Sequence, residues 1–300
     1  MPLPPYRASR LHLMSDGFSF GDLRTHNQKK RAGEVYEEPE WVKETPEETV
    51  EKAVTELMSK PERRIFDDYY HPSRIHDMCP VAEFWLRIRR PPVLIEEPNL
   101  PLSLMAAAGT QAHNFFQDRV LGPAGILWGS WECPKCGAEF EKTFLPGKCP
   151  ECSCNRLQYL EPQVLSHEHK IRGHSDGIIR IPSLDDMILE MKSKSRNTWE
   201  KTHAPNARER TQASIYMELL GVDKCVYLFI CRDDYRYRAV IEDKREDLVE
   251  NAFRTIDAIE ECVAAGEPDP VIMCQRKCSR KSTTRARECP FREECWSFKK

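Results

Sequence analysis

Two short strings of residues in this sequence contain side chains that could act together in catalysis. They are Gly173-His174-Ser175-Asp176-Gly177 and Glu190-Met191-Lys192, with thirteen residues between Asp176 and Glu190. Carboxylate oxygens are ligands that Mg²⁺ and Mn²⁺ prefer, and a nearby lysine can orient a water or stabilise charge on a phosphate. The two strings therefore indicate a divalent-metal site suited to phosphodiester hydrolysis. An ordinary charged hairpin on the surface is the competing interpretation of this spacing alone.

The segment between the two acids has the pattern of a β-hairpin. An isoleucine-rich run at 178–181 is followed by turn-forming residues at 182–186, and an apolar run at 187–189 leads into Glu190. Two apolar runs that flank turn residues predict paired strands, so both carboxylates are expected at one end of a sheet. Side chains two residues apart share a strand face, which places Lys192 beside Glu190.

Three further polar residues lie upstream and downstream of this hairpin. His113 falls in a predicted helix from Ala106 to Leu121, where a single histidine is more often structural than catalytic. Gln212 and Tyr216 are four residues apart, so they share one face of a second predicted helix. Without the two acids and the lysine, these three positions would not indicate a site.

In combination these motifs resemble those of the RecB-like nucleases of the PD-(D/E)xK superfamily. The matching strings, in the family's order over residues 105–220, are Gly109-Thr110-Gln111-Ala112-His113, Gly173-His174-Ser175-Asp176, Glu190-Met191-Lys192 and Gln212-Ala213-Ser214-Ile215-Tyr216. Glu190 stands where many members have aspartate, a difference that the family tolerates. The resemblance implies that Mg²⁺ or Mn²⁺ is bound by His113, Asp176, Glu190 and the Met191 carbonyl. It also implies that catalysis involves Lys192 with Asp176, Glu190, Gln212 and Tyr216, the last two lining the site or the DNA path.

Thirteen cysteines are many for a chain of 300 residues. The N-terminus has no apolar stretch typical of a secretory signal, and no apolar run approaches the length of a membrane span. We therefore expect a cytoplasmic protein of a prokaryote or of a phage-infected cell, in which grouped cysteines bind metal. Cys225, Cys231 and Cys262 lie in apolar patterns and are expected in the core.

Two Cys-x-x-Cys pairs form the first cysteine group. They are Cys133 with Cys136 and Cys149 with Cys152, and twelve residues separate the pairs. Two such knuckles can close a tetrahedral zinc site, and with few apolar residues nearby, metal is expected to stabilise this segment. We favour a structural ribbon over a contact with DNA or a partner, and both roles stay open.

A second cysteine group is divided between the two ends of the chain. Cys79 precedes an apolar, aromatic helix, and Cys274, Cys278, Cys289 and Cys295 lie near the C-terminus. This arrangement resembles the iron–sulfur members of the nuclease family, the CRISPR-associated exonucleases and the AddB-type helicase–nucleases. The resemblance implies a 4Fe–4S cluster on Cys79, Cys278, Cys289 and Cys295, since thiolates are the standard cluster ligands. Ten residues separate Cys278 from Cys289, where relatives often have two, so Cys274 is an alternative ligand. A second zinc site and free thiols are the competing interpretations.

The net charge of −3 does not by itself indicate nucleic-acid binding, so the local distribution of charge matters more. Basic residues with one aromatic, Trp199, follow Lys192, and they are Lys194, Arg196, Lys201, Arg208 and Arg210. More basic residues accompany the C-terminal cysteines: Arg276, Lys277, Arg280, Lys281, Arg285 and Arg287. Such a pattern suits a path for single-stranded DNA, although a solvated loop explains any one of these residues equally well.

The predicted elements form an α/β domain with a central mixed sheet flanked by helices, for which the resemblance implies a restriction-endonuclease-like core. We predict strands at Leu157–Leu165, Lys170–Ile181, Asp186–Ser193, Cys225–Cys231 and Tyr235–Ile241, and a helix from Lys244 to Ala265. The predicted organisation is a polar arm at 1–70 with a helix at Pro46–Met58, a nuclease domain at 71–300 whose ends the iron–sulfur cluster joins, and a zinc ribbon inserted at 128–156.

The resemblance implies a DNA exonuclease that acts on single-stranded ends, in recombination and repair, phage DNA metabolism or CRISPR adaptation. One alternative is a structure-specific or site-specific endonuclease on the same scaffold. The other is a non-catalytic DNA-binding or assembly factor whose cysteine sites are structural. No phosphate-binding loop of a helicase motor occurs in the sequence, so any helicase or recombination partner would be another chain, and no membrane partner is expected.

Overall fold

The computed structural model describes residues 45–58, 62–65, 67–90, 93–96, 100–275 and 277–297. These residues form two compact units. The first contains 45–58, 62–65, 93–96 and 100–106, and the second contains 67–90 and the described residues from 107 onward. Most of the predicted N-terminal arm, up to residue 44, lies outside the described residues.

The first unit contains the predicted helix α1 (Pro46–Met58) and an antiparallel pair of strands, β1 (Glu62–Ile65) and β2 (Val93–Glu96). The Glu48 N–H donates to Thr45 Oγ1 over 3.3 Å, and the Thr45 N–H donates to the Glu48 carboxylate over 3.1 Å. This reciprocal pair satisfies N–H groups that the first helical turn leaves unbonded. The Thr45-Pro46 helix start that the sequence predicts is therefore confirmed.

The second unit is built around one central sheet, and two strands of this unit form a separate hairpin. Its nine strands are β3 (Leu127–Glu132), β4 (Glu139–Phe144), β5 (Gln158–Leu160), β6 (Gln163–Ser166), β7 (Ile171–His174), β8 (Gly177–Ile179), β9 (Met187–Lys194), β10 (Lys224–Cys231) and β11 (Tyr237–Asp243). The central sheet has the order β11-β10-β9-β8-β3-β4, with β5 also paired to β3, while β6 and β7 form a separate hairpin. Only β9 and β10 are parallel, so the described sheet is mixed, as the sequence predicts.

Helices cover the sheet and gather the two ends of this unit. They are α2 (Pro72–Ile75), α3 (Pro80–Arg89), α4 (Leu100–Phe115), α5 (Arg196–Lys201), α6 (Ala207–Leu220), α7 (Glu246–Ala265), α8 (Pro270–Cys274), α9 (Thr284–Glu288) and α10 (Arg292–Ser297). The helices α5 and α6 form the crossover between β9 and β10, because parallel neighbours cannot be joined by a tight turn. The described residues contain no helix that is long and apolar enough to cross a membrane.

Local chemistry explains where α6 begins and where α6 and α7 end. Asn206 and Glu209 form a capping box at the start of α6, and Gly221 ends the helix with a positive φ of 67°. Gly266 ends α7 in the same way, with φ of 79°, because glycine adopts this left-handed conformation without steric cost. The predicted end of the helix at Ala265–Gly266 is confirmed.

The strand predicted at Lys170–Ile181 is two strands, β7 and β8, which belong to different sheets, and two further predicted boundaries also differ from the structure. The strand predicted at Leu157–Leu165 is two strands, β5 and β6, which belong to different sheets and are separated by Glu161 and Pro162. The helix of His113 begins at Leu100 rather than Ala106, and it continues after Phe115 as a π-helical segment, Phe116–Leu121. The last two differences bring polar residues to the site.

The apolar core divides between the two faces of β9. Met187, Leu189 and Met191 pack on the side of the predicted ribbon, whereas Ile188 packs on the side of α6. Cys225 and Cys231 are fully buried in the α6 cluster, and Cys262 is buried under α7, as predicted. A third cluster joins α3 and α7 to the segment that contains Cys295, so the two ends of this unit share one core.

Candidate functional site

Asp176 lies at the junction of β7 and β8 and is held by the neighbouring strand. The Met191 N–H of β9 donates to Asp176 Oδ2, and His113 Nδ1 of α4 lies 3.3 Å from Asp176 Oδ1. Burial lowers the pKa of His113, but the hydrogen bond and the negative charge of Asp176 outweigh it and raise the pKa. The structure thus brings together three residues that the sequence places 63 and 15 positions apart.

Glu190 and Lys192 share the α6 face of β9, as the strand alternation predicts. Lys192 Nζ lies 2.5 Å from Glu190 Oε1, and the Glu190 side chain is almost completely buried. Burial raises the pKa of Glu190 to about 7, against the opposing effect of Lys192. Burial also opposes the charge on Lys192, but Glu190 outweighs it and raises the pKa of Lys192. Lys192 is therefore charged, and it lies beside a carboxylate that is shielded from solvent.

Helix α6 supplies Gln212 and Tyr216 to the same face. Lys192 Nζ donates to Gln212 Oε1 over 3.3 Å, and Tyr216 follows Gln212 by one turn on the same helix face. A Cβ added at Gly173 would lie 3.0 Å from the Tyr216 hydroxyl, so glycine at this position lets the tyrosine approach the strand. Helix α6 thus places Gln212 against Lys192 and Tyr216 against β7.

A second lysine of β9 fixes the start of α6. Lys194 Nζ donates to Glu209 Oε1 over 2.6 Å, while the other oxygen of Glu209 accepts the Asn206 N–H of the capping box. Lys194 is largely buried in this pair. Because Gln212 follows Glu209 by one helical turn, this ion pair helps to set Gln212 against Lys192.

Glu161 is a residue of the site that the sequence interpretation missed. Its carboxylate accepts from Gln117 Nε2 over 3.2 Å, and the same amide donates to the Asp176 carbonyl over 2.8 Å. Part of Glu161 is open to solvent, yet neighbouring protein atoms desolvate its carboxylate, and this effect with the charge of Asp176 raises its pKa. Gln117 is almost fully buried and follows His113 by four residues, a spacing that could have drawn attention to it.

The donor set of these residues fits a divalent cation. One ligand atom each from His113, Glu161 and Asp176 lies within 4.8 Å of the others. Imidazole nitrogen and carboxylate oxygens are suitable ligands for Mn²⁺, and carboxylates for Mg²⁺. The predicted ligand Glu190 is outside this group of three, although its charge raises the pKa of His113.

The four cysteines of the predicted ribbon lie together. Their Sγ atoms are within 4.8 Å of one another, with 3.5 Å between Cys133 and Cys152 and 3.6 Å between Cys136 and Cys149. A regular tetrahedron with zinc–sulfur bonds of about 2.3 Å has sulfur atoms about 3.8 Å apart. The cluster therefore fits a zinc ribbon, and β3 connects it directly to the central sheet.

The main chain of the ribbon favours thiolates. Each knuckle closes with a residue of positive φ, Gly137 in the first and Ser153 in the second. Burial opposes ionisation of Cys133, but the N–H groups of Cys136 and Lys135 outweigh it and lower the pKa of this thiol to about 6. Main-chain N–H groups also favour the thiolates of Cys136 and Cys152, but the neighbouring sulfur atoms raise the pKa of both. A deprotonated sulfur is the form that binds metal.

Four cysteines of the second group line one small cavity in the structure. They are Cys79, Cys278, Cys289 and Cys295. Burial raises the pKa of Cys289, and the nearby Cys79 and Cys278 raise it further. Nothing is described of the Cys274 side chain, the alternative ligand.

The predicted basic path after Lys192 is wrong at its aromatic residue. Trp199 is only 7% exposed, its Nε1–H donates to the Phe229 carbonyl, and the guanidinium groups of Arg236 and Arg238 cover its ring at 4.5 Å. The indole cannot stack on a base in this position. Arg210 forms two hydrogen bonds with Glu242, so this member of the run also stabilises the fold.

Comparison with known proteins finds similarity of fold. No protein-family model matches the chain. No curated protein matches it either. The structure of an alkaline exonuclease (LHK-Exo) from Laribacter hongkongensis is similar with a TM-score of 0.40 and 14% identity, covering 66% of this chain and 89% of that chain. The structure of the same exonuclease in complex with dAMP has a TM-score of 0.41 and 12% identity, again covering 66% of this chain and 89% of that chain. The structure of SSO0001 has a TM-score of 0.39 and 14% identity, covering 84% of this chain and 95% of that chain.

Replacement of one ribbon cysteine should remove the ribbon metal. We expect Cys136→Ser to lower the zinc content by about one equivalent per chain, because three thiolates hold zinc far less tightly than four. Elemental analysis of purified protein measures this loss. Cys154→Ser is the matched control, since Cys154 follows Cys152 but is outside the four-sulfur group. Equal zinc in the wild type and Cys136→Ser would contradict the zinc assignment.

Glu161→Gln should weaken the binding of a divalent ion at the site. The change keeps the size of the side chain and removes one carboxylate, so we expect the Kd for Mn²⁺ to rise about tenfold or more. Calorimetric titration of the purified variant measures the Kd. Glu168→Gln removes an exposed acid seven residues further along the chain and should leave the Kd unchanged. Unaltered Mn²⁺ binding in Glu161→Gln would exclude Glu161 as a ligand.

Proposed function

We propose that this protein is a metal-dependent deoxyribonuclease that hydrolyses phosphodiester bonds, acting as an exonuclease on single-stranded DNA ends. The observation that carries the proposal is the buried contact between Glu190 and Lys192, beside the pair of Asp176 and His113. Carboxylates that can hold a cation, next to a charged lysine, form a site suited to a phosphate group.

The metal ligands in this proposal are His113, Asp176, Glu190 and the Met191 carbonyl, with Glu161 as an addition from the structure. Their donor chemistry fits Mg²⁺ or Mn²⁺, as the convergence of the imidazole and carboxylates indicates. A bound divalent ion would polarise a phosphoryl oxygen and lower the pKa of a water that attacks phosphorus. Every other contribution comes from side chains of the chain itself.

Lys192 is the residue proposed to act on the reacting groups. Its ammonium group can donate to the attacking water or to a phosphate oxygen, and Glu190 and Gln212 keep it in one orientation. Tyr216, one turn after Gln212 on α6, lies against the β7 strand at Gly173 and so helps to hold this part of the helix in place. The protein thus holds its donor in place before a substrate arrives.

The buried charges favour a catalytic role over a purely structural one. Burying an ion pair costs several kcal/mol of desolvation per ion, and apolar residues of similar volume often stabilise a fold as well or better. A non-catalytic assembly factor would have no use for this cost at Glu190. An endonuclease on the same scaffold differs only in its substrate, so closed circular DNA separates the two activities.

We extend the proposal to the two cysteine groups. The ribbon would hold zinc in a structural role. Cys79, Cys278, Cys289 and Cys295 would hold a 4Fe–4S cluster, supported by the cavity that all four line. Cys278 is favoured over Cys274 because it lies in that cavity.

Lys192→Ala should abolish cleavage of DNA while the fold is kept. Loss of a donor that stabilises charge in the transition state typically slows a reaction about 100- to 1,000-fold. The measurement uses end-labelled linear single strands, linear duplex and closed circles with Mg²⁺ or Mn²⁺. We expect the wild type to shorten linear single strands progressively and to leave circles intact.

Lys244→Ala is the matched control for this experiment. The Lys244 side chain is also largely buried and ion-paired, but its partners are Glu218 and Glu246, which are outside the site. We expect this variant to retain most of the cleavage. Full activity of Lys192→Ala would refute the catalytic role, cutting of circles would assign an endonuclease, and an inactive wild type would favour the assembly factor.

Cys79→Ser should remove a chromophore and destabilise the protein. Anaerobically purified wild type is expected to contain about four iron and four sulfide per chain and to absorb broadly in the visible range, and the variant should lose both. Cys274→Ser should keep them if Cys278 is the fourth ligand. Wild-type protein that contains zinc but neither iron nor sulfide would contradict the cluster.

A further inference from the structure

Three basic side chains from separate parts of the sequence converge on one turn. The turn is His76–Asp77, directly after α2. Arg208 of α6 lies 3.4 Å from Asp77 Oδ2, Arg285 of α9 donates to the Asp77 carbonyl over 2.6 Å, and Lys277 donates to the His76 carbonyl over 3.2 Å. We call these three side chains the α2 basic cluster.

The cluster keeps most of its positive charge. Two of its three contacts with the turn are with uncharged carbonyl groups, and the third is with the Asp77 carboxylate. Its pKa is lowered by the hydrogen bond from His76 and by the charges of Arg208 and Arg285, so the acid stays ionised. Three cations against one anion leave a net charge of about +2, and all three basic side chains are exposed.

A cavity of about 450 Å³ adjoins this cluster, with His76 and Lys277 in its wall. This volume is within the range of about 300–1,000 Å³ of pockets that hold small organic molecules. Its apolar part includes Ile75, Leu248 and Ala252. The polar residues at its margin, which can donate and accept hydrogen bonds, are Thr211, Asn251, Thr255 and Gln275. An apolar wall with amide groups beside it suits the flat face and polar edge of a nucleobase.

The cluster lies close to the proposed catalytic residues. A Cβ added at Gly173 would lie 3.0 Å from the Tyr216 hydroxyl and 3.2 Å from Pro72 Cδ, the first residue of α2. The four residues of α2 span about 6 Å, and the basic turn follows at their end. Tyr216 is one helical turn from Gln212, which accepts a hydrogen bond from Lys192. A few nucleotides of a DNA strand can therefore span the distance between the α2 basic cluster and the reacting groups.

We propose that the α2 basic cluster and the adjoining cavity bind the single strand that is cut, with phosphates on Arg208, Lys277 and Arg285 and one unstacked base in the cavity. This inference rests on the proposed nuclease function and names its substrate contact. We infer a single strand rather than a duplex because an unpaired base leaves its stack at a lower free-energy cost than a paired base. An acidic protein segment would use the cations but not the cavity.

The test compares two double variants for binding of a fluorescently labelled single strand with Mg²⁺, each in the Lys192→Ala background to prevent cleavage. Arg208→Ala with Arg285→Ala should raise the Kd about tenfold or more. It should also reduce the slope of log K against log salt by about 1.4, which corresponds to two phosphate contacts. Lys224→Ala with Arg180→Ala is the control, since it removes two cations from ion pairs with Asp243 and Asp186 at the end of the sheet where β9 begins.

A second arm changes the DNA and leaves the protein intact. Uncharged methylphosphonate linkages are placed one at a time along the strand. We expect wild-type affinity to fall at one or two adjacent linkages near the cut, and the Arg208/Arg285 variant to show no further loss there. Such non-additivity identifies a direct contact and excludes an effect of altered folding.

Several outcomes would overturn the inference. Equal Kd values and salt slopes for both double variants would exclude phosphate contacts at the cluster. An equal loss for blunt duplex would exclude the base in the cavity. A further outcome is that polyglutamate displaces the strand from the wild type but not from the Arg208/Arg285 variant. If, in addition, no methylphosphonate linkage lowers the affinity, the surface would be assigned to an acidic protein. If wild-type protein cleaves DNA and these arms fail, the inference alone is wrong. If it cleaves nothing, the proposed function fails first.

Discussion

The buried contact between Glu190 and Lys192 is the constraint on which the rest of the site depends. A carboxylate without water is stable only if a cation or a proton compensates its charge, and burial accordingly raises the pKa of Glu190 to about 7. Lys192 supplies one partner, and a divalent ion would supply another. The surrounding elements must then hold the lysine, and the Lys194–Glu209 pair does this by fixing the start of α6 so that Gln212 reaches Lys192.

The other residues that could hold a cation come from different elements, and one buried amide joins two of them. Gln117 donates to the carbonyl of Asp176 and to the carboxylate of Glu161, while His113 lies one turn earlier on the same helix. The π-helical segment that follows Phe115 carries Gln117. Such segments occur often at functional sites, because they change the direction in which a side chain points within a regular helix. The proposed cation site therefore requires that α4, β5 and β8 lie next to one another.

The sequence predicts the parts of the site that local patterns determine. Strand alternation places Lys192 beside Glu190, and the four-residue spacing places Gln212 with Tyr216, so these contacts follow from one element each. Glu161 could not be predicted, because its position depends on the break at Pro162 that sends β5 and β6 to different sheets. Trp199 failed for a related reason. Its basic neighbours indicated a surface, but Arg236 and Arg238 from β11 and its preceding turn cover the indole.

The C-terminal segment has two roles that depend on each other. The helices α8, α9 and α10 have five, five and six residues, which is too short for stability in isolation. Buried residues such as Ile272, Ala286 and Cys295 attach them to the core, and the cysteines that line the cavity with Cys79 would attach them more strongly with metal bound. The same segment brings Lys277 and Arg285 to the turn after α2. Under our proposals, a metal cluster there would therefore serve strand binding without touching DNA, by fixing the loop on which two of the three cations lie.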